Sequence, residues 1–165
     1  LQNGTADLIL TSGTDETSGN IAALYDAIGR GENLGEGSVT AILETAEHAA
    51  ARGASAYAAV LGYAALHEPD AYGVETSDEL RQGALCEACA DAGISTEEVE
   101  KIYGVAAPEA QDVTKEIGNS RAAAAAYAFE KAARAIANGE CKVAAAIAGS
   151  WTGCVSAVIL GRAKA

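Results

Sequence analysis

The chain holds no methionine and only two prolines among 165 residues, and aromatic residues make up 5%. So few aromatics exclude a core of large interlocking rings. Alanine supplies much of the apolar half of the composition, which suits backbones that approach closely, as in helices packed tightly on a sheet or on a second copy. Basic residues are scarce as well: 11 Lys and Arg stand against 23 Asp and Glu, for a net charge of −12. Nucleic acid and anionic membrane surfaces are therefore excluded as partners, since phosphate binding needs clustered Lys and Arg. No apolar run reaches the ~18 residues of a membrane span, and no charged-then-apolar leader opens the chain. A soluble cytoplasmic protein is the expectation. The start, Leu1-Gln2-Asn3 with no Met, points to a removed start or to a piece of something longer.

Four cysteines are present, and only Cys86 and Cys89 lie close together. They sit in a helical pattern where i and i+3 share a face. No second Cys or His pair follows at zinc-ligand spacing, so both are read as small core residues and no metal is expected. No cofactor is expected either. The glycine-rich segment "GRGENLGEG", 29–37, has no strand immediately before it and no phosphate-facing helix after it, so it is not a dinucleotide fingerprint. His48, in a helix, and His67, in a loop, stand beside no nucleophile in sequence and read as solvated surface residues. The Gly-x-Ser-x-Gly nucleophile elbow is absent.

The pattern predicts a single domain over 1–165 with the order β α β α β α β α β β. Strands are expected at 6–13, 38–44, 56–66, 102–107, 141–149 and 154–162. Helices are expected at 20–29 with Asn20 as N-cap, 45–52, 77–93 between Ser77 and Gly93, and 119–139 between Asn119 and Gly139. Ser95 and Glu98 form a capping-box pattern. Pro108 ends the fourth strand. This alternation implies an α/β sheet with helices on both faces. The alanine-rich last helix, "NSRAAAAAYAFEKAARAIANG", has the highest propensity and is placed centrally and buried. The turn "AGSWTGC" brackets the one Trp between two strands, and its N–H groups could face an anion or a developing oxyanion, or the Trp could fill a gap in a plain hairpin.

The segment "LGEGSVTAILETAEHAAARGASAYAAVLGYA", 34–64, resembles the β-ketoacyl synthase (condensing enzyme) family of the thiolase superfamily. That family has a Leu-Gly-Glu-Gly loop, a strand ending in Leu-Glu, a Glu-His-Ala…Arg-Gly-Ala helix and a Tyr-Ala-x-Val-x-Gly-Tyr strand. Leu34, Gly35, Glu36, Gly37, Leu43, Glu44, Glu47, His48, Arg52, Gly53, Tyr57, Val60, Gly62 and Tyr63 fall in register. "NGTADLILTSGTDE", "ALCEACADAGISTEEVEKI", "IGNSRAAAAAYAFEKAARAIANGE" and "AGSWTGCVSAVIL" extend the resemblance over nearly the whole chain. It implies a thiolase-like half-fold: a mixed five-stranded-type sheet with helices on both faces and a buried Ala-rich helix.

The resemblance also implies what is missing. The family's nucleophilic Cys, which carries the acyl chain as a thioester, would lie ahead of Leu1. The first family His falls in Tyr103-Gly104-Val105-Ala106-Ala107, where no His occurs. The second falls on Asn119, which is catalytic in the initiating branch of the family and is otherwise a simple helix cap. Asn119 is thus the one candidate catalytic remnant. Trp151 lies near the family's gating Phe, so Trp151, Thr152, Gly153 and Cys154 are a candidate substrate-binding, oxyanion or gating turn. Gly35, Glu36 and Gly37 form the structural loop.

Three functions remain open. One is a ketosynthase-like subunit of a fatty-acid or polyketide system, resembling a chain-length factor, non-catalytic, shaping the acyl pocket or dimer of an active partner. Another is the C-terminal part of a composite condensing enzyme whose Cys is supplied elsewhere. The last is an acyl- or CoA-binding or scaffolding module. A homo- or hetero-oligomer with a ketosynthase-like chain is expected, with an acyl thioester as a possible ligand. Acidic carrier proteins would dock on a less acidic partner rather than here.

Overall fold

The computed structural model describes residues 1, 3–31, 33–69, 76–105, 107 and 109–163. The loop expected at 67–77, which holds His67, is therefore described only up to residue 69 and from 76, and Ala106 and Pro108 lie outside the described residues. Two sheets form. Strands β1 (Leu8–Asp15) and β2 (Gly37–Glu44) pair antiparallel as a separate two-stranded sheet. The other five, β3 (Ala59–His67), β4 (Lys101–Val105), β5 (Gln111–Asp112), β6 (Val143–Gly149) and β7 (Cys154–Gly161), run in the order β3-β7-β6-β4-β5. β4 is parallel to β5 and β6, and β7 is antiparallel to β3 and β6. The mixed five-stranded sheet is as expected. The separate sheet and the short β5 are not: residues 111–112 are too few to show a strand period.

The helices are α1 (Gly19–Ala27), α2 (Ala46–Ala51), α3 (Asp78–Ala92), α4 (Thr114–Ile117) and α5 (Ala122–Ala137). Period two along β6 sets the layers. Ala145 and Ile147 face α3 with Ala84, Leu85, Ala88 and Cys89. Ala144 and Ala146 face the opposite way, against Ala124, Ala128, Ala132 and Ala135 of α5. α5 is thus packed on the large sheet, and its other side meets β1 and β2. A helix between two sheets has room for little beyond methyl groups, which accounts for its alanine run. Gly13 shows how close the approach is: a Cβ there would stand 2.4 Å from the Ala122 carbonyl oxygen and 2.6 Å from the Ala126 Cβ.

The ends of the helices follow local chemistry. Ser77 caps α3, and Gly93 closes it. Thr45 caps α2 through His48 N–H at 3.2 Å. Ser95 N–H donates to the Glu98 carboxylate at 2.8 Å, in a single 3-10 turn, Thr96–Glu98. Two expected caps are displaced. Ser18, not Asn20, caps α1, because its hydroxyl reaches Ile21 N–H. α5 begins at Ala122 rather than Asn119. Cys86 also departs from expectation: it is exposed, whereas Cys89 is buried. Three residues along a helix leave two side chains about 60° apart, enough to carry Cys86 past the edge of the face that α3 packs on the sheet.

At the end of β2, Glu44 accepts from His48 Nδ1 at 2.8 Å and from Arg52 at 2.5 and 2.9 Å. His48 therefore has a defined structural partner. The Arg52 hydrogen bonds, then that of His48, hold the Glu44 carboxyl down at about 2 from 4.5. A depressed carboxylate stabilises the fold above its unfolded value and loses that contribution as pH falls through the folded one. The stability difference between the native chain and Glu44→Gln will be full at pH 7 and shrink between about 4.5 and 2. Urea unfolding of both across that range measures it, and a gap that does not change with pH would refute it.

Candidate functional site

Four segments converge at the start of α5. Just before the helix, Asn119 N–H donates to the Asn33 carbonyl at 2.6 Å, and Gly35 N–H donates to the Asn119 carbonyl at 3.1 Å. The Asn33 side-chain amide adds a bond to the Thr114 carbonyl at 3.1 Å. The loop between α1 and β2 is thereby stitched to the segment leading into α5. Glu36 accepts from Thr17 N–H at 3.3 Å, and the Gly35 carbonyl accepts from the Thr17 hydroxyl at 2.8 Å. Gly35 and Glu36 thus tie the loop to its neighbours, and Gly37 opens β2.

Asn119 is half-buried, and its Oδ1 accepts from Arg121 N–H at 3.3 Å. Its side-chain Nδ2 has no hydrogen-bond partner among the described residues. Ser120 beside it is fully buried, and its hydroxyl also lacks a partner. Arg121 has a φ of 49°, a left-handed conformation uncommon outside glycine and its polar substitutes. It is held there by Asp15 at 3.0 Å and by the Glu16 carbonyl at 3.0 Å, with its guanidinium 5.5 Å from the Tyr25 ring centre. Asp15 in addition accepts from Ala122 N–H at 2.8 Å. The cap of α5 is therefore a carboxylate from the end of β1, more than a hundred residues away. Nothing in the sequence marks it, because a lone Asp at a strand end has no local pattern.

The second half of the site is the β6–β7 turn. Ser150 organises it. Its hydroxyl accepts from Cys154 N–H at 3.1 Å and Thr152 N–H at 3.4 Å, and its carbonyl accepts from Gly153 N–H at 3.2 Å. The N–H groups of Thr152, Gly153 and Cys154 thus all bond to Ser150 inside the turn. The half-buried Trp151 is what the turn presents, with the Arg30 guanidinium 5.5 Å from its ring centre. Arg30 belongs to the same loop as Asn33 and Gly35. One loop therefore touches both the Asn119 segment and the Trp151 turn, a link that the separations in sequence conceal.

Cys154, at the first position of β7, lies opposite His67, the last of β3. Its Sγ is 3.3 Å from His67 Nδ1. Cys89 and Cys141 are buried, and burial pushes both thiols up. Among the described residues no three His, Cys, Asp or Glu gather as a metal site, and no helix is long and apolar enough to cross a membrane.

No family model and no curated protein sequence matches the chain. Solved structures match it in fold. It superposes on a structure described as the ishigamide ketosynthase/chain length factor with a TM-score of 0.86 at 20% identity, covering 99% of this chain and 56% of that one. A β-ketoacyl synthase from Burkholderia phymatum STM815 gives 0.79 at 15% identity, over 99% and 56% of the two chains. A structure described as a type II PKS acyl-carrier protein in complex with its ketosynthase bound to the hexaketide gives 0.85 at 18% identity, over 98% and 58%. The fold is that of ketosynthases and chain length factors. The chain spans a little over half the length of these structures.

Proposed function

We propose that this chain is a ketosynthase-like subunit of a polyketide or fatty-acid condensing system, which shapes the acyl pocket and the dimer of an active partner and performs no condensation itself. The observation that carries this is the chemistry at the two imidazole positions implied by the resemblance. One reads Tyr103-Gly104-Val105-Ala106-Ala107, with no His. The other is Asn119, whose side-chain oxygen is engaged by Arg121 N–H. Neither can move a proton near neutral pH as an imidazole does. The chain's two histidines are elsewhere, one bound to Glu44 and the other beside Cys154.

The surface supports an assembled state. The outer face of the small sheet carries Leu10 and Ile42, opposite each other in register and 66% and 57% exposed. Two large aliphatic residues side by side on an open sheet favour being covered. The occupant is a Cys-bearing ketosynthase-like chain or segment, less acidic than this one, which would also offer the better face to an acidic acyl carrier. Trp151 and the Asn119 side-chain amide would then line the acyl path as wall and polar anchor.

The test is reconstitution with such a partner and measurement of product length. Trp151→Ala removes a ring that buries roughly 150–250 Å² when covered. Products will lengthen by at least one extension unit at comparable total turnover. An unchanged product distribution would refute the pocket role. A fall in condensation of about 100-fold or more in Asn119→Ala would overturn the silent reading in favour of a composite enzyme.

A further inference from the structure

We propose that Cys154 and His67 form a nucleophilic pair that accepts an acyl group from an acyl thioester, at a sulfur distinct from the condensing Cys that the resemblance places ahead of Leu1. The ligand class rests on the proposed function; the pair itself rests on geometry. The antiparallel register of β3 and β7 sets His67 directly opposite Cys154. The Sγ to Nδ1 distance of 3.3 Å is a hydrogen-bond contact for sulfur, and both side chains are exposed.

The surroundings hold the pair in place. Glu68 N–H donates to the Gly153 carbonyl at 2.8 Å, which fixes the end of β3 to the turn. Cys154 N–H is held by the Ser150 hydroxyl, and its carbonyl accepts from Ser150 N–H at 2.9 Å. Trp151 stands in the same turn and offers an apolar wall for an acyl chain. The other cysteines differ: Cys89 and Cys141 are buried, and Cys86 is exposed with no imidazole bonded to it among the described residues.

The step balances without an oxidant or a metal. His67 Nδ1 takes the thiol proton as Sγ attacks the thioester carbonyl carbon. A new Sγ–C bond forms, the C–S bond of the incoming thioester breaks, and the departing thiolate takes the proton from His67. The acyl group ends on Cys154, and a free thiol leaves.

Cys86 supplies an internal reference. The full chain, in its native assembly, is exposed briefly to iodoacetamide, and each cysteine peptide is quantified by mass spectrometry. Cys154 will alkylate at least about tenfold faster than Cys86, and His67→Gln will bring the two rates together. Incubation with S-acetyl-N-acetylcysteamine will then place an acetyl group, removable by hydroxylamine, on Cys154 and not on Cys86. Equal alkylation rates in the native chain, or selectivity that survives His67→Gln, would overturn the pair. Selective alkylation without acetylation would overturn the acyl-acceptor assignment and leave the Trp151 reading, scored by product length, standing. Acetylation of Cys154 with unchanged products in Trp151→Ala would do the reverse.

Discussion

Gly35→Ala will destabilise the fold by about 3 kcal/mol, toward the upper end for overpacking a tight site. A Cβ at this position would fall 2.1 Å from the Ile117 carbonyl oxygen and 3.0 Å from the Gly118 Cα. Both obstacles are backbone, so no side chain can swing away. The loop cannot retreat cheaply either, because Gly35 N–H and the Asn33 carbonyl both bond to Asn119. For a chain of this size the loss corresponds to a fall in Tm of roughly 10 °C. Gly37→Ala is the matched control two residues on. Its Cβ would meet only the Ala123 methyl at 3.9 Å, an ordinary contact. Thermal unfolding of the two variants side by side decides the matter: equal melting temperatures would mean that the loop is not clamped to the start of α5.

Asp15→Ala will cost about 2–3 kcal/mol. The carboxylate satisfies the first N–H of α5 and pairs with Arg121, and its loss leaves a helix start uncapped and a guanidinium without its anion. The figure is set below that of a fully buried pair because Asp15 and Arg121 retain 24% and 19% side-chain exposure. Asp15→Asn will recover part of the loss, since the amide oxygen still accepts from Ala122 N–H while the charge is gone. Urea midpoints of the native chain and both variants measure this. A loss under about 0.5 kcal/mol in the alanine variant would show that the strained backbone at Arg121 is held by other contacts.

Much of the architecture was legible because it is local. The cap at Ser77, the stop at Gly93 and the helical span of the alanine run depend on residues within a turn of one another. Strand faces followed from period two once the layers were known, as in Ala144 to Ile147. Residues 111–117 gave no signal, because a two-residue strand and a one-turn helix are shorter than the periods that reveal them. The start of α5 was misplaced for a related reason. Asn119 has the chemistry of a cap, but the segment around it is pulled into pairing with residues 33–35, and the capping role passes to Asp15.

The candidate site divides in the same way. Asn119 and Trp151 could be singled out by residue type and resemblance. That Arg30 reaches Trp151, that one loop touches both halves, and that Cys154 meets His67 across 87 residues could not. By itself the sequence determined the α/β class, the strong acidity, the cap at Ser77 with the stop at Gly93, and the absence of histidine at the two positions implied by the resemblance. The tertiary structure alone decided that the chain folds as two sheets with α5 between them, which thiols are exposed, and which side chains meet. The physical reason is range: capping and periodicity act within a turn or a strand, whereas a clamp, a cap from a distant strand or a thiol–imidazole contact exists only once strand register has brought remote residues together.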